Sequence, residues 1–440
     1  MKLPSLPSFA SGPRLPAPAA AIGGIVLLAV ALTLALLRWG DRLPPALIWV
    51  GGAILLGALL LWLVLRGWPL WREQRFLRQF KEEFGGGAGA ADPEPRRDLR
   101  LAAEEAVATI RDLDPKALHT LPWLFVLGDS ASARALLGHA TRKAPLPRPN
   151  HAAHPDRLWH HWFLEAGVAV ELADRFICPR TDAATRRLWL EALLTANRLR
   201  PQMPVHGLVL LIPVESLSPT AGETRQELVV NLRRVIDEIL RTLSVDIPVH
   251  VLVSGVDRLE GAETFLSLLP EETRNQALGH GFADGMKPDA AMAAWSGAFD
   301  TICTTLYRLQ LSMLADTDMP SRRQAIHAYP GRVERLREPL DRFLKGLFET
   351  GSVQLQRTAR LRGVYLVGGG SQPVFADDLF ASLAPRDGSL ARSTGGARQR
   401  RRRLAFATAG AALALSALAV AAILWPVSAL EDAHQRAMET

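Results

Sequence analysis

The chain has 440 residues, enough for up to three globular units, but 48% are hydrophobic and the mean hydropathy is +0.09, too apolar for all of it to be soluble domain. Two cysteines, Cys178 and Cys303, exclude a disulfide framework and a Cys-rich zinc module. The net charge of +7 is local: Arg398, Arg400, Arg401, Arg402 and Arg403 supply five of the seven, leaving about +2 elsewhere, so the broad basic face of a nucleic-acid binder is absent.

In chain order, residues 1–18 read as an amino-terminal tail. Ala19–Leu37, Ala46–Leu65 and Leu404–Trp425 are apolar enough to be predicted as membrane spans, which need about 20 such residues. The first two are joined by Arg38–Pro45 and read as a helical hairpin (19–65). Lys2 and Arg14 flank the first span, yet Arg38-Trp39-Gly40-Asp41 offers no small-residue cleavage site, so the span is read as retained. Arg66, Arg72, Arg75, Arg78 and Lys81 after the second span, and the arginine run before the third, place the amino terminus and central segment inside. The tail 426–440 is then outside.

The central segment opens with a basic helix and a glycine-rich linker (66–97). Over 98–113 the apolar spacing is helical. Trp123–Leu127, Gly167–Leu172, Gly207–Ile212, Pro248–Val253 and Gly363–Val367 are short apolar runs of the kind that form strands buried on both faces. Helices are expected between them, at 182–197, 223–243, 271–280, 289–314 and 332–349. The pattern predicts an α/β fold: a P-loop-NTPase-like parallel sheet domain (98–262), an inserted helical subdomain (263–350), then a last strand and basic juxtamembrane segment (351–403) ahead of the third span (404–425).

Ligands of such sheets bind beyond the carboxyl ends of the strands. After the first strand comes Gly128-Asp129-Ser130-Ala131-Ser132-Ala133-Arg134-Ala135, in the register of G-x-x-x-x-G-K-[ST]. Only Gly128 survives. Ala133 replaces the second glycine, Arg134 the phosphate-binding lysine, and Ala135 the magnesium-binding hydroxyl. The next end carries Glu171, with Asp174 where a glycine amide would meet the γ-phosphate. Asp257 remains where a base-recognising aspartate would sit, without the lysine that accompanies it. Gly128, Arg134, Glu171 and Asp257 therefore read as a vestigial nucleotide pocket. No catalytic residue, cofactor or metal is expected. His151, His154, His160 and His161 have no cysteine nearby and read as loop or packing residues. Gly368-Gly369-Gly370-Ser371 reads as an exit loop, because no lysine-bearing helix follows. Ser130 and Ser132 lack a positioned His and Asp for nucleophilic work.

Several segments, in order, resemble the TssM/IcmF family, the inner-membrane component of type VI secretion systems. Leu121–Gly128 is similar to its P-W-x-x-x-x-G strand, Trp159–Phe163 to C-x-W-W-F, and Glu171–Phe176 to D-T-A-G-R-Y. Arg200–Leu210 is similar to R-P-x-x-P-I-N-G-V-I-L, Pro248–Phe265 to P-V-Y-V-L-V-T-K-x-D-L-x-x-G-F-x-x-F, and Leu361–Leu366 to L-R-G-V-Y-F; Asp378-Leu379-Phe380 follows as in the family. The resemblance implies a multi-pass protein of the bacterial inner membrane with a cytoplasmic central domain and a periplasmic carboxyl terminus. It implies a multi-copy complex containing a TssL/DotU-like inner-membrane component, cytoplasmic baseplate proteins and the lipid bilayer, with no nucleic acid. Many members have an intact P-loop and a long periplasmic region. This sequence ends 15 residues after Trp425, so a shortened or split member, with a separate periplasmic subunit, or a part of a longer protein is expected. The leading expectation is a non-enzymatic scaffold. The alternative is an ATP- or GTP-binding switch with a non-standard loop.

Overall fold

The computed structural model describes residues 93–393 apart from 114–116, 145–153, 155, 178–182, 349–358, 371–372, 378, 381–382 and 384–389. These fall in one compact unit, Gly87–Ala397. In chain order it comprises α1 (Pro93–Leu113), α2 (Ala117–Thr120), β1 (Trp123–Gly128), α3 (Ser130–Ala140), β2 (Trp159–Leu164), β3 (Gly167–Leu172), α4 (Ala183–Leu199), β4 (Gly207–Pro213) and α5 (Gly222–Thr242). There follow β5 (Val245–Asp246), β6 (Pro248–Ser254), α6 (Ala262–Ser267), α7 (Glu271–Asn275), β7 (Leu278–Gly281), α8 (Pro288–Ala315), α9 (Pro320–Glu334), α10 (Arg337–Phe348), β8 (Arg360–Val367) and β9 (Arg392–Ser393).

Seven strands form one sheet in the order β2-β3-β1-β4-β6-β8-β7, and β5 pairs with β9 separately. The five inner strands are parallel, with registers such as Phe125↔Val170, Phe125↔Leu208, Leu210↔Val251 and Val251↔Val364. Both edges are antiparallel. The sheet is therefore mixed, a correction to the parallel sheet expected: only its five inner strands are parallel. On one edge, Glu165 and Ala166 are all that separates β2 from β3, and so short a connection can only make a hairpin. On the other, β7 arises inside the interval expected to be helical, where residues 278–281 pair with β8 instead of extending α7.

Side chains alternate between the two faces of the inner strands, and both faces are covered. Trp123, Phe125 and Leu127 of β1 join Leu208 and Leu210 in a core under α1, α4, α5 and the α8–α10 helices. Leu124 and Val126 point the other way, with Val209, Leu211 and Leu252, against Ala133, Leu136 and Leu137 of α3 and against Leu379, Phe380 and Leu383. Since β3 and β4 flank β1 and the following helices cross on opposite faces, the carboxyl end of β1 is the topological switch point.

The three spans predicted at 19–37, 46–65 and 404–425 lie outside the described residues. Among the described residues no helix is long and apolar enough to cross a membrane, and the fold class of these residues is corrected to a seven-stranded mixed α/β sheet. The longest helix, α8, has 28 residues but only one apolar side: Trp295, Phe299, Ile302 and Leu306 are buried, while Asp289, Asp300, Thr304 and Arg308 are exposed.

Candidate functional site

At the carboxyl end of β1 the chain turns almost at once. Gly128 ends the strand, Asp129 is the cap, and α3 begins at Ser130. A phosphate-wrapping loop would occupy the residues that here already form the first helical turn, so the expected P-loop-like connection is corrected to a one-residue turn. Gly128 has φ +125°, and a Cβ there would overlap the carbonyl of Leu211 on β4. Its glycine serves the approach of two strands.

The amino end of α3 has its anion supplied from within. One Asp129 carboxylate oxygen accepts from the Ser132 amide at 3.2 Å; the other accepts from the Ser132 hydroxyl at 2.5 Å and from the buried Ser254 hydroxyl, at the end of β6, at 3.0 Å. Arg258 lies 3.7 Å from the same carboxylate and 3.2 Å from Glu215. Burial raises the Asp129 carboxyl, but the Ser132 and Ser254 bonds with Arg258 outweigh it, leaving the group below the usual Asp range. An exposed helix amino terminus attracts oxyanions. This one is neutralised by its own cap.

The other vestigial residues are spent in the same way. Arg134 donates to Glu171 at 2.9 Å, and the second oxygen of Glu171 accepts from the indole of Trp162 at 3.1 Å. Burial pushes the Glu171 carboxyl up, against the pull of Arg134. Asp257 accepts the amides of Gly369 at 3.0 Å and Gly370 at 2.9 Å, one on each oxygen. That bidentate pairing turns both carboxylate oxygens toward the main chain of the segment after β8. Gly128, Asp129, Ser254 and Asp257 thus share one end of the sheet, whereas Arg134 and Glu171 form a pair of their own beside β2.

His160 and His161 are buried in β2. His160 bonds through Nε2 to the carbonyl of His154 at 3.1 Å, and burial lowers His161 to about 4. His151 and Cys178 lie outside the described residues. Among the described residues no cluster of three or more His, Cys, Asp or Glu could hold a metal.

Two buried polar networks were not anticipated. His206 accepts from the Trp123 amide at 3.2 Å and lies 3.3 Å from Arg200, which donates to the carbonyl of His119 and stacks over the Trp123 ring. Burial, then Arg200, lowers His206 to about 3, and burial lowers Arg200 to about 10. Trp189 of α4 donates to buried Glu238 of α5 at 2.7 Å. The Arg-Pro and His-Gly dipeptides flanking 201–206 hinted at the first; helix periodicity alone could not reveal the second.

The fold and this end of the sheet define a doubly wound α/β domain whose nucleotide-type groups are satisfied internally. Residues 182–373 match the model of the IcmF-related N-terminal domain. That match supports an IcmF/TssM family assignment over this stretch of the chain. Among curated proteins none matches this chain.

Proposed function

We propose that the chain is a non-enzymatic scaffold of a type VI secretion membrane complex. Its α/β domain would dock cytoplasmic baseplate proteins, alongside a TssL/DotU-like inner-membrane partner and further copies of the chain. The observation that carries the reading is the internal saturation of the sheet's carboxyl end: Asp129 takes the α3 amino terminus, and Asp257 takes the Gly369 and Gly370 amides. A nucleotide would have to displace both sets of bonds, with no lysine or magnesium-binding hydroxyl in the turn to compensate. Basic residues on both sides of the domain in sequence, Arg66 to Lys81 and Arg398 to Arg403, support a position next to the anionic cytoplasmic leaflet.

Two measurements test this. Full-length protein in mild detergent is titrated with ATP and GTP, each with magnesium, by calorimetry; no heat of binding is expected into the millimolar range, and saturable binding would favour the switch. Tagged protein purified from its own cells is then analysed by mass spectrometry. Recovery of inner-membrane and baseplate secretion components is expected, and recovery of the protein alone would refute the scaffold.

A further inference from the structure

The segment leaving β8 is held more closely than a simple exit loop requires. Gly368, Gly369 and Gly370 each bring backbone against a side chain. A Cβ on Gly368 would lie 3.1 Å from Cγ of Asp257, one on Gly369 would overlap the Ser132 hydroxyl, and one on Gly370 would lie 2.7 Å from Oδ2 of Asp257. Having no side chains, the three glycines are tied down through their main chain, with two amides on Asp257 and that of Gly368 on the carbonyl of Val374 at 3.0 Å. Next comes Phe375, buried, with φ +62° and its amide on the carbonyl of Arg274 at 2.6 Å. A bulky residue in the left-handed region is strained, and it stays there only where its surroundings impose it. Asp377, two residues on, pairs with His139 near the end of α3.

We propose that Gly368–Gly370 and Pro373–Asp377 form a latch over the amino end of α3, closed by the Asp257 carboxylate and loaded by the strained Phe375. Closed, it lays Gly369 on Ser132, the residue whose amide and hydroxyl Asp129 caps. Released, it uncovers Ser132 and Asp129 together, so the end of the sheet has a closed, self-satisfied state and an open one. Asp257 suits the task because both its oxygens are used on the latch, while the Asp129 bonds are made without it. The latch is independent of whether any nucleotide binds, and it goes beyond the scaffold reading.

Hydrogen exchange with mass spectrometry on the full-length chain tests it. In Asp257→Ala, amides over 373–383 are expected to exchange about tenfold faster or more, as for the loss of two hydrogen bonds, with α4 unchanged; Asp257→Asn, which keeps one acceptor, falls between. Unaltered exchange over 373–383, or an equal rise in α4, would overturn the proposal. A second variant acts from the other side: Gly369→Ala puts a Cβ 2.9 Å from Cβ of Ser132, so the latch cannot close on α3. Exchange over 373–383 is expected to rise as in Asp257→Ala, with α4 again unchanged. Exchange at the wild-type rate would refute the latch.

Discussion

Replacing Asp129 with alanine removes three accepted hydrogen bonds at once, and the cost can be worked from their surroundings. The cap on the Ser132 amide is worth about 1 kcal/mol, within a range of roughly 0.5–2. The Ser254 hydroxyl is fully buried and would lose its partner, adding about 1–3 kcal/mol. Arg258 is half exposed and its 3.7 Å pairing adds little. The sum is roughly 2–4 kcal/mol, or a fall in melting temperature of about 3–6 °C for a unit of about 300 residues. Thermal unfolding of the full chain, followed by tryptophan fluorescence, measures it. Asp129→Asn keeps one acceptor and should lose about half as much. The pH dependence gives a second reading. The folded carboxyl is lowered from 3.8, so its contribution is complete above that value and lost as pH falls through the folded one. The gap between wild type and Asp129→Ala should therefore close in acid. An alanine variant within about 0.5 kcal/mol of wild type at neutral pH would refute the internal-anion account.

Other outcomes follow from the same geometry. Gly128→Ala meets both a positive φ and the Leu211 carbonyl, and should cost about 3 kcal/mol or more, seen as loss of soluble, cooperatively melting protein. His206 and His161 are lowered from 6.5 to about 3 and about 4, so each contributes stability above 6.5 that is lost as pH falls through those values. The urea midpoint should drop between pH 6.5 and 4, and His206→Gln should flatten that slope; an unchanged slope would show that His206 does not take up the proton. Trp189→Phe removes the shorter bond to Oε2 of buried Glu238, leaving Arg234 at 3.5 Å, and should cost about 1–2 kcal/mol in urea unfolding, with Glu238→Gln less damaging because its amide oxygen still accepts from the indole.

How far the fold was legible depends on the element. The inner strands announce themselves as continuous apolar runs because each is buried on both faces, and α8 through its 3.6-residue spacing. Trp159–Leu164 contains two histidines, which hid β2 among packing residues, although its hairpin connection was short enough to find. Leu278–Gly281 has no strand-forming side chain beyond Leu278, and it is a strand only because β8 offers an edge. Helix α9, carrying Pro330, has little apolar periodicity of its own.

For the site, the residue types were enough to show what nucleotide chemistry lacked: Ala133, Arg134 and Ala135 stand in the positions that would serve phosphate and magnesium. Side-chain chemistry is local information, and a missing hydroxyl is missing in any fold. What fills the place of the ligand is not local. Asp129 meets Ser254 across 125 residues, and Asp257 meets Gly369 across 112. Sequence alone therefore determined which strands form the core of the sheet and that Ala133, Arg134 and Ala135 stand where a P-loop carries glycine, lysine and a hydroxyl. The tertiary structure decided the antiparallel edges and the partners of the remaining carboxylates. Both depend on which strand ends are brought together, and a one-dimensional pattern of hydrophobicity and charge does not encode that.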